Sequence, residues 1–187
     1  VDGYKLAYVY SYDSMGSSPR LYTQTVDIPP YTSLAEFRSA QPECFQSGEK
    51  PLHCDHMQYV KTDDSELGYL QWVLLYVMGP QFYLDWHANY KNTTFIASNE
   101  ALDQLVTQLS ETDFGYPMSK AEADEARAID PTPMVSINDK TVIVRVVWFT
   151  KWGGFYETQH ILSRTFPHTI LETNSSILQD YNCGVIY

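Results

Sequence analysis

The sequence is short of positive charge. Twelve Lys and Arg stand against 23 Asp and Glu over 187 residues, a formal net charge of -11. That balance repels nucleic acid backbones and anionic lipid surfaces, and it favours a basic partner or simply solubility. Long apolar runs are missing too. None reaches the ~18 to 20 residues a membrane span needs, and the longest, Leu70 to Met78, is interrupted by Gln71. No G-x-S-x-G elbow, G-x-G-x-x-G loop, phosphate-binding Gly loop or H-E-x-x-H pair occurs, so the common hydrolase, nucleotide and zincin signatures are absent. Trp152-Gly153-Gly154-Phe155 has two glycines but no helix behind it, and reads as a turn. No leader pattern is visible, and the chain opens on Val1, from which a trimmed N-terminus is expected.

Cysteine is scarce: Cys44, Cys54 and Cys183 cannot all pair within one chain. The odd number leans toward a reducing, cytoplasmic compartment. Two glycosylation sequons, Asn92-Thr93-Thr94 and Asn174-Ser175-Ser176, point the other way but are short enough to arise by chance.

Apolar residues make up 44% of the chain, enough for a core at this length without staples, and a single domain over residues 1–187 is expected. The stretch 141–164 reads as its central β-hairpin. Val142, Ile143, Val144, Val146, Val147, Trp148 and Phe149 suit a pleated, half-buried surface. Two registers are open. A two-residue Gly153-Gly154 loop puts Phe155 and Glu157 on the face of Val142, Val144, Val146 and Trp148. A loop one residue longer moves them beside Ile143, Arg145, Val147 and Phe149, and brings Arg145 near Glu157.

Tyr4 to Tyr12 alternates with an aromatic face and pairs with Arg20 to Ile28 in a second hairpin, which Pro29-Pro30 ends. Met57 to Lys61, Leu67 to Met78, Gln81 to Tyr90, Thr93 to Ala97 and Met134 to Ile137 read as further strands. The stretch 67–78 is apolar on both sides, so a buried helix is its alternative. Three helices are expected. One lies near 33–41, with Ser33 and Glu36 as a capping box. One lies at 99–110, with the stripe Leu102, Leu105, Val106, Leu109. One lies at 119–128, with the box Ser119/Glu122 and the small inward residues Ala123 and Ala126. A helical turn near Ser175 to Tyr181 and an edge strand at Cys183 to Tyr187 close the chain. The fold class is α+β, a mainly antiparallel sheet of six or more strands with about three helices packed on it.

Three sets of residues carry candidate chemistry. Cys44, His53, Cys54 and His56 lie in one irregular loop, and Cys and His are zinc's preferred ligands. Their spacing is not that of a zinc finger, adjacent His53 and Cys54 would have to reach one ion, and two readings compete: a Cys44–Cys54 disulfide, if the protein is exported, or a set of unlinked loop residues. Asp85 and His87 share a strand face, and a carboxylate beside an imidazole can orient a general base. Glu157 and His160 on the hairpin would complete that site. Residues 99–130 hold eight acids against Lys120 and Arg127, among them Glu100, Asp103, Glu122, Asp124 and Glu125 on the two later helices. The leading functional expectation is an acidic, non-enzymatic binding domain, of the inhibitor or immunity type, for a basic protein partner, without cofactor. The alternative is a metal-dependent hydrolase, with zinc, using the 44–56 loop or the Asp85/His87/His160 set.

Overall fold

The computed structural model describes residues 1–13, 16–46, 51–81, 85–86, 93–113 and 115–185; at 11–13, 16–18, 52 and 85–86 it describes the backbone alone. The fold is α+β with every described strand pair antiparallel, as expected. The strands are divided between two sheets, and the chain forms two compact units.

The first unit comprises Val1–Lys91 and Ser163–Thr169. Its hairpin is β1 (Tyr4–Asp13) with β2 (Gly16–Thr25), in the register Tyr4↔Thr25 through Asp13↔Gly16. Helix α1 (Leu34–Ala40) begins where Ser33 Oγ accepts the Glu36 amide at 3.2 Å. The expected capping box is half present: Glu36 reaches back to the amide and hydroxyl of Thr32, one residue before the cap. Tyr22 and Phe37 stack at 4.6 Å, and with Val9 they form a small aromatic core.

Helix α2 (Glu66–Met78) corrects the strand expected over Leu67 to Met78. Ser65 caps it, accepting from the Gly68 amide at 3.0 Å. Tyr69, Trp72 and Val73 are buried at helical spacing. An all-round apolar run hides that spacing, and the serine before it was the overlooked signal. The expected strand at Met57 to Lys61 is likewise a 3-10 turn, His56–Tyr59. Strand β3 (Asp85–Trp86) pairs with the start of β2; the rest of the returning strand expected at Gln81 to Tyr90 lies mostly outside the described residues.

Segment 163–169 is held inside this unit by polar contacts. Asp64 accepts from Arg164 Nε at 2.9 Å, Arg164 Nη2 at 2.6 Å and the Tyr69 hydroxyl at 2.8 Å. Those bonds, Arg164 first and Tyr69 next, lower the Asp64 pKa to about 2. Asp64 has φ +63°, a left-handed conformation that Asp tolerates better than most residues. The buried His168 ring donates from one nitrogen or the other. With Nδ1 donating to Ser163 O (3.1 Å), Nε2 is left to accept from the Thr62 amide at 3.4 Å.

The second unit comprises Asn92–Leu162 and Ile170–Tyr187. Its five strands are β4 (Thr94–Ile96), β5 (Met134–Ile137), β6 (Thr141–Thr150), β7 (Gly154–Ser163) and β8 (Ile170–Gln179). β4 and β5 both pair with β6, and the order continues β6-β7-β8. β8 replaces the helical turn expected at 175–181, and Cys183 to Val185 is not a strand.

The central hairpin takes the longer loop. β6 ends at Thr150 and β7 begins at Gly154, whose φ of +82° suits a three-residue hairpin turn. A Cβ at Gly154 would collide with the carbonyl oxygen of Gln179. Phe149 and Phe155 therefore share a face, with ring centroids 4.9 Å apart. Arg145 and Glu157 form an ion pair at 2.7 Å, with side chains 16% and 21% exposed. Arg145 also donates to the carbonyls of Thr132 and Asp130, so its guanidinium is fully engaged in structure.

Helices α3 (Asn99–Ser110) and α4 (Lys120–Arg127) lie close to where the sequence puts them. Ser98 caps α3, and both bonds of the Ser119/Glu122 capping box are present. Leu102, Val106, Ala123 and Ala126 pack into one core with Ile96, Val147, Phe149 and Phe155. No helix among the described residues is long and apolar enough to cross a membrane.

Candidate functional site

Of the loop ligands, Cys44 and Cys54 are joined as a disulfide, with Cα atoms 5.2 Å apart. Each sits in a short 3-10 turn, Pro42–Phe45 and Leu52–Cys54. His53 Nε2 lies 2.9 Å from Glu43 Oε1. The Glu43 pKa is lowered by its own backbone amide and then by His53. His56 is half-buried, which pulls its pKa down against the opposing charge of Asp55. Its Nε2 has no hydrogen-bond partner among the described residues. The two sulfurs and a His53 ring nitrogen lie within 4.8 Å of one another, and His56 is not in that group. A pocket of about 570 Å³ is lined by both cysteines with Arg20, Leu21, Phe37, Arg38 and Phe45.

Of the second set, His87 lies outside the described residues, and Asp85 is described by its backbone alone. Glu157 and His160 stand three residues apart on β7 and so point to opposite faces. Glu157 is held by Arg145, whose hydrogen bond lowers its pKa. His160 is 5% exposed, near Thr173 Oγ1 at 3.3 Å, and burial lowers its pKa.

The acidic helices are partly neutralised from within. Asp103 pairs with Arg127 at 2.6 Å, and Asp124 with Lys120 at 2.7 Å. Glu122 accepts the Ser119 amide at 2.7 Å, and its pKa is lowered by its bonds to Ser119. Glu100, in the first turn of α3, and Glu125 are exposed.

Glu122 has a second role, for it lines a pocket of about 490 Å³ with Tyr116, Pro117, Trp152, Gly153, Asp180, Tyr181 and Asn182. Three segments and the start of α4 build this pocket. The β6–β7 turn supplies Trp152, whose indole N–H donates to the Val185 carbonyl at 2.9 Å. The Cys183 amide donates to Lys151 O at 2.9 Å, tying the C-terminal segment to the same turn. The Tyr116 amide donates to Cys183 O at 2.8 Å, and the Tyr181 hydroxyl to Tyr116 O at 2.8 Å. Gly184, at φ +71°, leaves room for the Tyr116 ring, which a Cβ there would strike.

The walls are thus fixed by backbone bonds, while the pocket offers two carboxylates and three aromatic side chains. The Asp180 carboxylate makes no hydrogen bond or ion pair among the described residues. Burial raises the Tyr181 pKa, with smaller contributions from Cys183 and the Glu122 charge. Tyr116 is 69% exposed, an open wall. Carboxylates beside aromatic faces attract a cation twice over, by charge and by the ring quadrupole. Of this set, only Glu122 is among the candidate site residues that the sequence suggests. The others come from positions 116, 152, 180 and 181, whose spacing carries no local pattern; the aromatic-Gly turn at 152–154 was the only signal. Comparison with protein-family models, with curated proteins and with solved structures finds no match for this chain.

Proposed function

We propose that the protein is a non-enzymatic binding domain for a basic protein partner, and that it receives a Lys or Arg side chain of that partner in the pocket formed by Glu122, Asp180, Tyr116, Trp152 and Tyr181. The observation that carries this reading is the convergence of two carboxylates and three aromatic residues in one pocket. The charge of the unit around it supports it. Twelve acidic residues face five basic ones across the second unit, a balance of -7. Glu100, Asp103, Asp124 and Glu125 then act at longer range, speeding encounter with a basic surface. The hydrolase alternative loses support from two placements: Glu157 and His160 on opposite faces of β7, and Cys44 and Cys54 joined to each other.

The test is a titration of the full chain with a heptalysine peptide by calorimetry. Saturable binding is expected, weakening steeply with added salt. Asp180→Asn and Tyr116→Ala should each weaken it about fivefold or more, the scale of a lost charge-assisted or cation–aromatic contact. Both side chains are exposed and neither holds the fold. Equal binding by both variants and the parent chain would overturn the assignment of the pocket.

A further inference from the structure

The disulfide of the first unit closes over groups that have a second use. Glu43 and Cys44 stand side by side in one 3-10 turn, and His53 and Cys54 side by side in another. The turns face each other, so the donors arrive as two adjacent pairs. Both sulfurs and a His53 ring nitrogen already lie within 4.8 Å of one another. Glu43 Oε1 is 2.9 Å from the His53 ring. The difficulty of aiming neighbours His53 and Cys54 at one ion is therefore met by the tight turn that carries them.

We propose that reduction of the Cys44–Cys54 disulfide opens a zinc site made of the two cysteine sulfurs, His53 and Glu43. The inference is independent of the pocket proposed above, which lies in the other unit. Two sulfurs, one imidazole and one carboxylate are a donor set zinc accepts in tetrahedral geometry. Glu43 stands outside the group of two sulfurs and a His53 nitrogen and is joined to it through the His53 ring, so rotation of its side chain would complete the set. The redox step balances simply. A dithiol gives two electrons and two protons to the disulfide, leaving two thiols on the protein and a disulfide on the reductant. Zinc then displaces the two thiol protons as it binds.

Charge favours the metal-bound form. Two thiolates, a carboxylate and Zn²⁺ sum to one negative charge. Arg20 and Arg38 line the same pocket as the cysteines, and among the described residues neither has a carboxylate partner. Arg38 lies over the Phe45 ring at 5.0 Å, where its charge stays available. Neighbouring guanidinium groups also stabilise thiolates. In the oxidised chain the same sulfurs are bonded to each other, so disulfide and zinc are mutually exclusive states of one site. His56 and Cys183 take no part: His56 stands in a separate 3-10 turn, His56–Tyr59, and Cys183 is buried in the core of the second unit.

The experiment reduces the full chain with a phosphine under anaerobic conditions and titrates it with Co²⁺, then Zn²⁺. One cobalt per chain is expected, with the visible bands of a tetrahedral ion and a sulfur-to-metal charge-transfer band, both erased by one equivalent of zinc. Zinc should release two protons per ion from the reduced chain, and the oxidised chain should give neither signal. His53→Ala should weaken binding at least about tenfold, while His56→Ala and Cys183→Ser leave it within about twofold. A reduced chain that takes up no cobalt, or His53→Ala and His56→Ala chains of equal affinity, would overturn the proposal. If reduction unfolds the loop, circular dichroism during zinc addition supplies the answer: a zinc-driven gain of structure that needs His53 supports the site, and no gain refutes it.

Discussion

The two units are held together by different means. The second has a continuous apolar core, in which Val147, Phe149 and Phe155 from the central hairpin meet Leu102, Val106, Ala123 and Ala126 from two helices. Its Arg145–Glu157 ion pair, largely buried, is joined by further hydrogen bonds from Arg145. Among the described residues the first buries a cluster of Val9, Tyr22 and Phe37, and Met57, Tyr69, Trp72 and Val73 besides, and it adds directional links: a disulfide, a bidentate Arg164–Asp64 pair, and indole and hydroxyl bonds from Trp72 and Tyr69. Apolar packing tolerates changes of pH and redox state; directional links respond to both. The pocket around Glu122 and Asp180 lies in the second unit, and the bonded pair Cys44–Cys54 lies in the first.

That contrast can be broken at several points. The largest effect is expected from Phe155→Ala. Phe155 is fully buried, and its removal should cost about 3–5 kcal/mol in urea unfolding, with amide exchange accelerating in β6 and β7. Replacing both Cys44 and Cys54 by Ser should cost less, roughly 2–3 kcal/mol, because the bridge closes a loop between residues only 10 apart. If the double-serine chain lost more than Phe155→Ala, the ranking of packing over links would be reversed.

The smallest effect concerns Asp64. Its pKa falls from 3.8 to about 2 in the folded chain. A lowered carboxylate pKa stabilises the fold above the unfolded value, and that contribution disappears as pH drops through the folded one. Asp64→Asn keeps a residue that tolerates positive φ, so it isolates the charge. The melting temperature of the parent chain should exceed that of the variant near neutral pH, and the gap should close between about pH 4 and pH 2. A gap unchanged at low pH would show that the Arg164 contact adds nothing through charge.

Much of the second unit was legible in the sequence, because its signals are local. Ser119 and Glu122 lie three residues apart and form both bonds of the box they predict. The stripe from Leu102 to Leu109 names the buried side of α3. The hairpin register was narrowed to two, and it was the length of the 151–153 turn that decided between them. Helix α2 was misread because Leu67 to Met78 is apolar at nearly every position, and periodicity then has nothing to contrast. β8 was misread because Thr173 to Ser176 is polar on both faces, as a strand open to solvent on both sides permits. The pocket was illegible for a different reason. Its carboxylates and rings are brought together by backbone bonds among residues 116, 151 and 183 and by the Trp152 indole on the Val185 carbonyl, and only the folded chain knows those neighbours.

β8 also bears on how this protein behaves when concentrated. Among the described residues it ends its sheet, and eight of its ten residues are exposed. An edge of that length, with Leu171, Ile177 and Leu178 uncovered, would be a template for fibre growth if it were straight. It is interrupted twice. The pairing steps from Ile161↔Glu172 to Leu162↔Ile170, leaving Leu171 as an extra residue, and from Phe155↔Gln179 to Tyr156↔Ile177, leaving Leu178 as another. Each bulge bends the edge near one end, so the regular stretch shrinks to 172–177, a mostly polar run carrying the charge of Glu172. Deleting either leucine would lengthen that regular stretch, and aggregation resistance is what the chain would then lose.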